Sequence, residues 1–213
     1  CCLKVVKFDY KNKQEKQWAF EEVQAMEKAR HDNIVELKDH WLNDSGRLCI
    51  LMELCTSGSL QQLINKHAKM KKTIAEVRCK FYMEELAGAL SYLHVDLQMA
   101  HRDIKPDNVL VDEFGTLKLA DFGLAKINTN ALFHTHVGTP LFLAPEQLAG
   151  EGYTFAADVW ALGCVLYELM ALRSPWLTGN EPQSVAAQLV KQRIRAASVD
   201  WQLVSRYSAK LLD

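Results

Sequence analysis

The sequence predicts an α+β fold of two lobes, a small β-rich front followed by a larger, mainly helical back. Three observations predict it. Short apolar runs separated by turn residues fill the first 54 positions, apolar spacing becomes helical from Ser59 onward, and the change falls at the small, polar stretch Cys55-Thr56-Ser57-Gly58. With 213 residues there is enough chain for one large domain or two small lobes, and the expected division is 1–54 and 55–213.

In order, Cys1-Cys2-Leu3-Lys4-Val5-Val6 reads as a short strand. Residues 13–30 read as an amphipathic helix with Trp18, Val23 and Met26 among its apolar positions. Two strands follow: Ile34-Val35-Glu36-Leu37 running on to His40-Trp41, then Leu48 to Met52 after an Asn43-Asp44-Ser45-Gly46 turn. Helices are expected over 59–69 and 74–95, the second with Phe81, Leu86, Leu90 and Leu93 on one face. Val109-Leu110-Val111 and Leu117-Lys118-Leu119 read as strands around a Glu113-Phe114-Gly115 turn. Residues 124–145 read as a long loop, a length that is usually functional or disordered. Helices resume at about 155–172, 182–195 and 200–212. There are no internal repeats and no low-complexity tract.

Composition is that of an ordinary globular protein, and a net charge of −1 gives no electrostatic case for nucleic acid or a membrane surface. No apolar run reaches the roughly 18 residues that span a bilayer. Six cysteines occur without any Cys-x-x-Cys pair. They read as reduced, mostly buried thiols, which places the protein in the cytosol or nucleus.

The chemistry concentrates in His101-Arg102-Asp103-Ile104-Lys105-Pro106-Asp107-Asn108, followed thirteen residues after Asn108 by Asp121-Phe122-Gly123. An acid, a base and an amide fall within six residues, and a second acid follows at fixed spacing. Together the two segments resemble the catalytic loop and the metal-binding loop of protein kinases. That resemblance implies an ATP-dependent protein serine/threonine kinase using ATP and Mg²⁺ on a Ser- or Thr-bearing protein substrate.

The resemblance carries over residue by residue. Asp103 would orient the substrate hydroxyl and accept its proton, Lys105 would reach the γ-phosphate, and Asn108 and Asp121 would offer hard oxygen ligands to Mg²⁺. His101 would pack in the core and hold the loop. Lys4 matches the strand lysine that holds the α- and β-phosphates, with Lys7 a nearby rival. Glu22, nine residues before His31-Asp32-Asn33-Ile34-Val35, matches its carboxylate partner, with Glu21 as the alternative. Met26, one turn on, would pack inward toward Leu37 and Phe122. Met52-Glu53-Leu54-Cys55 resembles the segment that binds adenine through its backbone, with Met52 at the rear, Cys55 a passive wall and Leu110 the floor. Gly138-Thr139-Pro140 to Ala144-Pro145-Glu146 resembles the substrate-docking segment. Thr139 would contact Asp103 and Lys105, and Thr135 matches a position often phosphorylated, with Arg102 able to pair with that phosphate. Asp158 would hold the backbone of the catalytic loop. Within the family, Ile34-Val35, Cys49 to Cys55 and Val137 to Pro140 look most like NIMA-related kinases, with cell-cycle or WEE-like kinases as neighbours.

The sequence departs from the family pattern at both ends. The family carries a glycine-rich loop before the strand lysine, whereas the first glycine here is Gly46. The stretch also stops inside a helical pattern at Leu211-Leu212-Asp213, so Glu146 is expected to lack the arginine that family members supply from later helices. A buried carboxylate stripped of its partner costs about 3–5 kcal/mol, and on that basis the chain by itself is expected to be unstable or poorly active. Two other classes stay open: a scaffold with a kinase fold that transfers no phosphate, favoured by the absent glycine-rich loop, and a small-molecule kinase, disfavoured by the docking segment.

Overall fold

The structure, a computed structural model, describes residues 1–6, 13–127, 141–177 and 183–204. The first layer is a three-stranded antiparallel sheet of β1 (Cys2–Val6), β2 (Leu37–Leu42) and β3 (Leu48–Met52), in the order β1-β3-β2. The apolar run of β3 explains its central place, since Leu48, Cys49 and Ile50 are all buried, as a strand covered on both faces requires. Register sets Lys4 opposite Ile50, and Cys2 and Leu37 opposite Met52. The turn between β2 and β3 closes with the Gly46 amide donating to the Asn43 carbonyl at 2.7 Å.

Helix α1 (Lys13–Lys28) packs beside this sheet through Ala19, Glu22, Val23, Ala25 and Met26. Met26, Phe122 and Leu37 meet in one core cluster, as expected. Trp18 does not join them: it is 48% exposed, because it stands one position before the helix reaches cover at Ala19. The first expected run begins its strand only at Leu37, and Ile34 instead makes a single parallel bridge to Leu119.

Helix α2 (Leu60–Met70) starts with a reciprocal cap. The Gln62 amide donates to Ser59 Oγ at 3.3 Å, and Ser59 N–H donates to Gln62 Oε1 at 3.1 Å. Gly58 precedes it at φ 82°, where a Cβ would collide with the Gln62 side chain that makes the cap. Helix α3 (Glu76–Ser91) buries Cys79, Tyr82, Leu86, Ala89 and Leu90. Phe81 is 44% exposed rather than in line with Leu86, because five residues place it about 140° around the helix. The expected helix to 95 changes character after Ser91: Tyr92–Asp96 forms a wider π turn that ends with Leu97 N–H donating to the Tyr92 carbonyl at 3.2 Å.

Short strands then position the loops. β4 (Met99–Ala100) pairs with β7 (Lys126–Ile127), so the expected 124–145 loop begins with a strand and gives way to helix at Pro145. β5 (Val109–Val111) pairs with β6 (Leu117–Leu119). A single 3₁₀ turn, Pro106–Asn108, leads into β5. The back of the molecule holds α4 (Pro145–Ala149), α5 (Phe155–Ala171) and α6 (Gln183–Arg195). Of the helix expected at 200–212, one 3₁₀ turn at Trp201–Val204 is described, and 205–213 lie outside the described residues. Helix α5 is apolar on nearly every face and sits at the centre of the back, burying Ala161, Val165 and Leu169 among others. A smaller cluster of Cys164, Trp176, Val190 and Ile194 joins α5 to α6, with the Trp160 and Trp176 rings stacked 5.8 Å apart.

All six cysteines are free thiols, with Cys49, Cys79 and Cys164 buried. Among the described residues no helix is long and apolar enough to cross a membrane. Ser59→Ala is expected to lower stability by about 1 kcal/mol through loss of the cap. Leu119→Ala, at a fully buried position between β5 and the Ile34 bridge, is expected to lower it by about 2–5 kcal/mol. Urea unfolding of each variant measures both.

Candidate active site

Two clusters of charge form where β1, α1 and the loops around β5 and β6 converge. In the first, Lys4 projects from β1 and its ammonium donates to Glu22 Oε1 at 2.6 Å and to Asp121 Oδ1 at 3.3 Å. Burial alone would lower the Lys4 pKa, but the Glu22 and Asp121 carboxylates together raise it, so the amine is held charged. Glu22 is buried on α1, whereas Glu21 beside it is half-buried and accepts from Gln17 at 2.8 Å. The geometry therefore pairs Lys4 with Glu22. Lys7 lies outside the described residues.

Asp121 adopts φ 63°, a left-handed conformation uncommon for a residue with a side chain. Its carboxylate is about half exposed and also accepts from the Gly123 amide at 3.4 Å.

In the second cluster Asp103 Oδ2 accepts from Lys105 Nζ and from Asn108 Nδ2, each at 2.7 Å. Asn108 Nδ2 also donates to the Asp103 carbonyl at 2.9 Å, which leaves its own Oδ1 as a lone-pair donor. The Asn108 carbonyl accepts from the Ala120 amide at 2.8 Å, and that bond brings the residue before Asp121 beside the loop.

The loop is held from behind by Asp158, on the first turn of α5 and without exposed surface. Its carboxylate accepts from the backbone amides of His101 and Arg102, both at 2.9 Å, from the Tyr153 hydroxyl, and from His94 Nε2 at 2.8 Å. This is the structural role expected of it. Burial would raise its pKa, yet the hydrogen bonds from His94, Tyr153 and the Arg102 amide hold it below the ordinary range. Arg102 follows at φ 72°, with its guanidinium 5.2 Å from the centre of the Tyr153 ring.

His101 is fully buried, and burial lowers its pKa. Its Nδ1 accepts from the Asp103 amide at 3.3 Å, so Nε2 carries the proton and donates to the Ala120 carbonyl at 3.1 Å. The ring meets Phe122 edge-on at 4.9 Å. One neutral imidazole thus ties both loops together. His94 and Tyr153 were missed by sequence reasoning, because neither lies in a recognisable motif.

The expected adenine segment continues from β3. Glu53 is fixed by its backbone amide donating to the Glu36 carbonyl at 2.9 Å and by an ion pair with Lys118 at 2.8 Å. Met52 and Leu110 are half-buried, and Ser59 bridges Leu110. The Cys55 thiol is pushed up to about 11, first by burial and then by the Glu53 charge, which keeps it protonated and unreactive at neutral pH. Thr135 and Thr139 lie outside the described residues. Glu146 is half-buried rather than enclosed, so solvent screens it and the penalty expected for a buried, unpaired carboxylate does not apply.

A strand lysine bridged to a helix carboxylate and a loop carboxylate, beside an Asp-Lys-Asn loop, defines the protein-kinase class of fold and site. The chain belongs to that family: it matches the protein kinase domain over residues 1–213. It is 41% identical over 180 residues to the probable serine/threonine-protein kinase nek2 of Dictyostelium discoideum, covering 82% of this chain and 43% of that protein. It is 36% identical over 188 residues to the human serine/threonine-protein kinase Nek5, covering 87% and 26%, respectively. With the mouse serine/threonine-protein kinase Nek2 it shares 35% identity over 206 residues, 93% of this chain and 45% of that protein. The chain spans less than half the length of these curated relatives. Their names agree with the resemblance to NIMA-related kinases.

The folded-state pKa of Asp158 lies below its ordinary value of 3.8. Its contribution to stability is therefore complete above that value and is lost as pH falls through the lower folded one. The fall in urea midpoint from about pH 6 to about pH 2 is expected to be shallower in Asp158→Asn. That variant is also expected to be less stable at neutral pH by about 3–5 kcal/mol.

Proposed function

We propose that this chain transfers the γ-phosphate of ATP to serine or threonine hydroxyls of proteins. The observation that carries the reading is the Lys4 ammonium, held charged between Glu22 and Asp121, three residues that come from β1, α1 and the loop after β6. Phosphoryl transfer asks a protein for positioning and charge stabilisation more than for covalent chemistry.

Each residue then has a part. Lys4, oriented by Glu22, binds the α- and β-phosphates. Asp103 orients the substrate hydroxyl and accepts its proton as the hydroxyl oxygen bonds to the γ-phosphorus and the bond to the β–γ bridging oxygen breaks, releasing ADP. Lys105, already 2.7 Å from Asp103, steadies the charge on the γ-phosphoryl oxygens. The Asn108 Oδ1 and the half-exposed Asp121 carboxylate are hard oxygen donors and fit Mg²⁺. That ion, when bound, neutralises charge on the phosphate oxygens. The backbone of Met52-Glu53-Leu54-Cys55 and the Leu110 side chain enclose adenine between a lobe at 1–54 and a lobe at 55–213. Thr139 favours a hydroxyl substrate, and phosphorylation of Thr135 orders its segment through Arg102. Free cysteines throughout support a reducing compartment, the cytosol or nucleus.

Transfer of labelled phosphate from ATP and Mg²⁺ to a generic Ser/Thr-containing protein tests the assignment in the full-length protein. Asp103→Asn is expected to slow transfer by about 10²- to 10⁴-fold, with Lys4→Met and Asp121→Asn also severely impaired. Undiminished transfer by Asp121→Asn sinks the reading, and label entering a small alcohol but no protein reassigns the substrate class.

A further inference from the structure

Phe114 stands at the tip of the turn between β5 and β6 with 84% of its surface exposed, yet the turn that carries it is fixed. The Asp112 carboxylate accepts from the Phe114 amide at 2.9 Å and from the Thr116 amide at 2.8 Å. The Asp112 amide donates to the Thr116 carbonyl at 3.0 Å, and Gly115 completes the turn at φ 84°. A single exposed apolar side chain asks for no explanation, but Phe114 is not single.

Helix α3 runs beside the turn. The Leu117 amide donates to Glu85 Oε2 at 3.0 Å, and a Cβ at Gly115 would lie 3.6 Å from Arg78 Nη1. At about 100° per residue, Val77 and Phe81 share one face of α3, next to the face that carries Arg78 and Glu85. Val77 is 82% exposed and Phe81 44%. The Arg78 guanidinium rests 5.5 Å from the centre of the Tyr82 ring. Exposed apolar side chains from two elements therefore flank one cation.

The same corner is strongly basic. Residues 66–80 hold Lys66, Lys69, Lys71, Lys72, Arg78 and Lys80 against one acid, Glu76, in a chain whose net charge is −1. Among the described residues, Lys80 alone of these six cations has an ion-pair partner, Glu84 at 3.9 Å. The dipole of α2 favours cations at its end, but Arg78 stands in the first turn of α3, where the dipole opposes it. Cations gathered without counterions repel one another, and an acidic partner relieves that repulsion.

A phosphate polymer would need the lysines alone. Here apolar anchors lie among the cations, and a guanidinium pairs with a carboxylate through two parallel hydrogen bonds. Aromatic residues and arginine are also the types that carry most of the binding energy at protein interfaces. Because its turn is already ordered, Phe114 loses little freedom on being covered.

We propose that the end of α2, the start of α3 and the β5–β6 turn form a docking surface for an acidic segment of a partner protein. Its apolar side chains pack on Val77, Phe81 and Phe114, and its carboxylates pair with Arg78 and the lysines before α3. The surface shares no side chain with the Lys4 and Asp103 clusters, so docking and phosphate transfer stand or fall separately.

The probe is a random peptide library displayed on phage and selected on the full-length protein. Selected peptides are expected to carry aspartate or glutamate beside apolar residues. Fluorescence anisotropy of such a peptide is expected to give a Kd about 10- to 100-fold higher for Phe114→Ser. Arg78→Glu is expected to weaken the same peptide by a similar factor of about 10 or more. A peptide with its acids replaced by lysine is expected to prefer Arg78→Glu to the unmodified protein, an exchange that loss of fold cannot produce. If Arg78→Glu does not fold, Lys72→Glu, at an exposed position, makes the same comparison. Selection of no peptide overturns the surface, as does a peptide bound equally by all the variants. Sedimentation with phosphatidylserine vesicles that Phe114→Ser abolishes, with no peptide selected, assigns the corner to a membrane and overturns it too.

Discussion

One buried carboxylate governs the geometry of the site. Asp158 receives two backbone amides, a phenol and an imidazole, and so fixes the start of the catalytic loop from beneath. Hydrogen bonds to an ionised acceptor are about twice as strong as neutral ones, and in a low-dielectric interior they reinforce one another. Asp158 also lies in the first turn of α5, where the helix dipole favours negative charge. The left-handed backbone at Arg102 is held because two successive amides leading into it, that of His101 and its own, are anchored to the same carboxylate and the amide that follows, that of Asp103, donates to His101 Nδ1. The chain then leaves that anchor with Asp103 facing Lys105 and Asn108.

Helix α5 offers an internal contrast. Asp158 and Glu168 are both buried acids on the same apolar helix, yet their pKa values move in opposite directions. Desolvation penalises both. Asp158 meets four donors and is held low, whereas burial first, and then the charge of Asp107, drive Glu168 up. The number of donors that converge on an acid, rather than its depth, decides which way its pKa moves.

The two clusters beside the loop share one design. Lys4 sits between Glu22 and Asp121, and Asp103 sits between Lys105 and Asn108, so each charge faces its complement before any ligand arrives. His101 links them through the Ala120 carbonyl and the Asp103 amide. Such preorganisation suits the proposed phosphoryl transfer, in which little reorganisation would be needed as charge develops on the phosphate oxygens. The exposed Asp121 carboxylate and the free Asn108 Oδ1 are the groups open to exchange.

Local patterns carried a great deal. Continuous apolar runs with turn residues between them marked β3, β5 and β6, and the change to helical spacing at Ser59 marked the start of α2. Motif spacing singled out Asp103, Lys105, Asn108 and Asp121, and the structure brings the first three together in one short loop, because residues so near in sequence meet without long-range packing. Periodicity misjudged Trp18 and Phe81, since a helical repeat tells which residues share a face but not where along the helix cover begins or which face the rest of the protein meets. Nor could it foresee the π turn after Ser91. The convergence of His94 and Tyr153 on Asp158 and the influence of Asp107 on Glu168 were decided only by tertiary structure. Each of these joins residues far apart in the chain. Burial strengthens such electrostatic contacts, and burial is a property of the packed molecule, not of any segment taken alone.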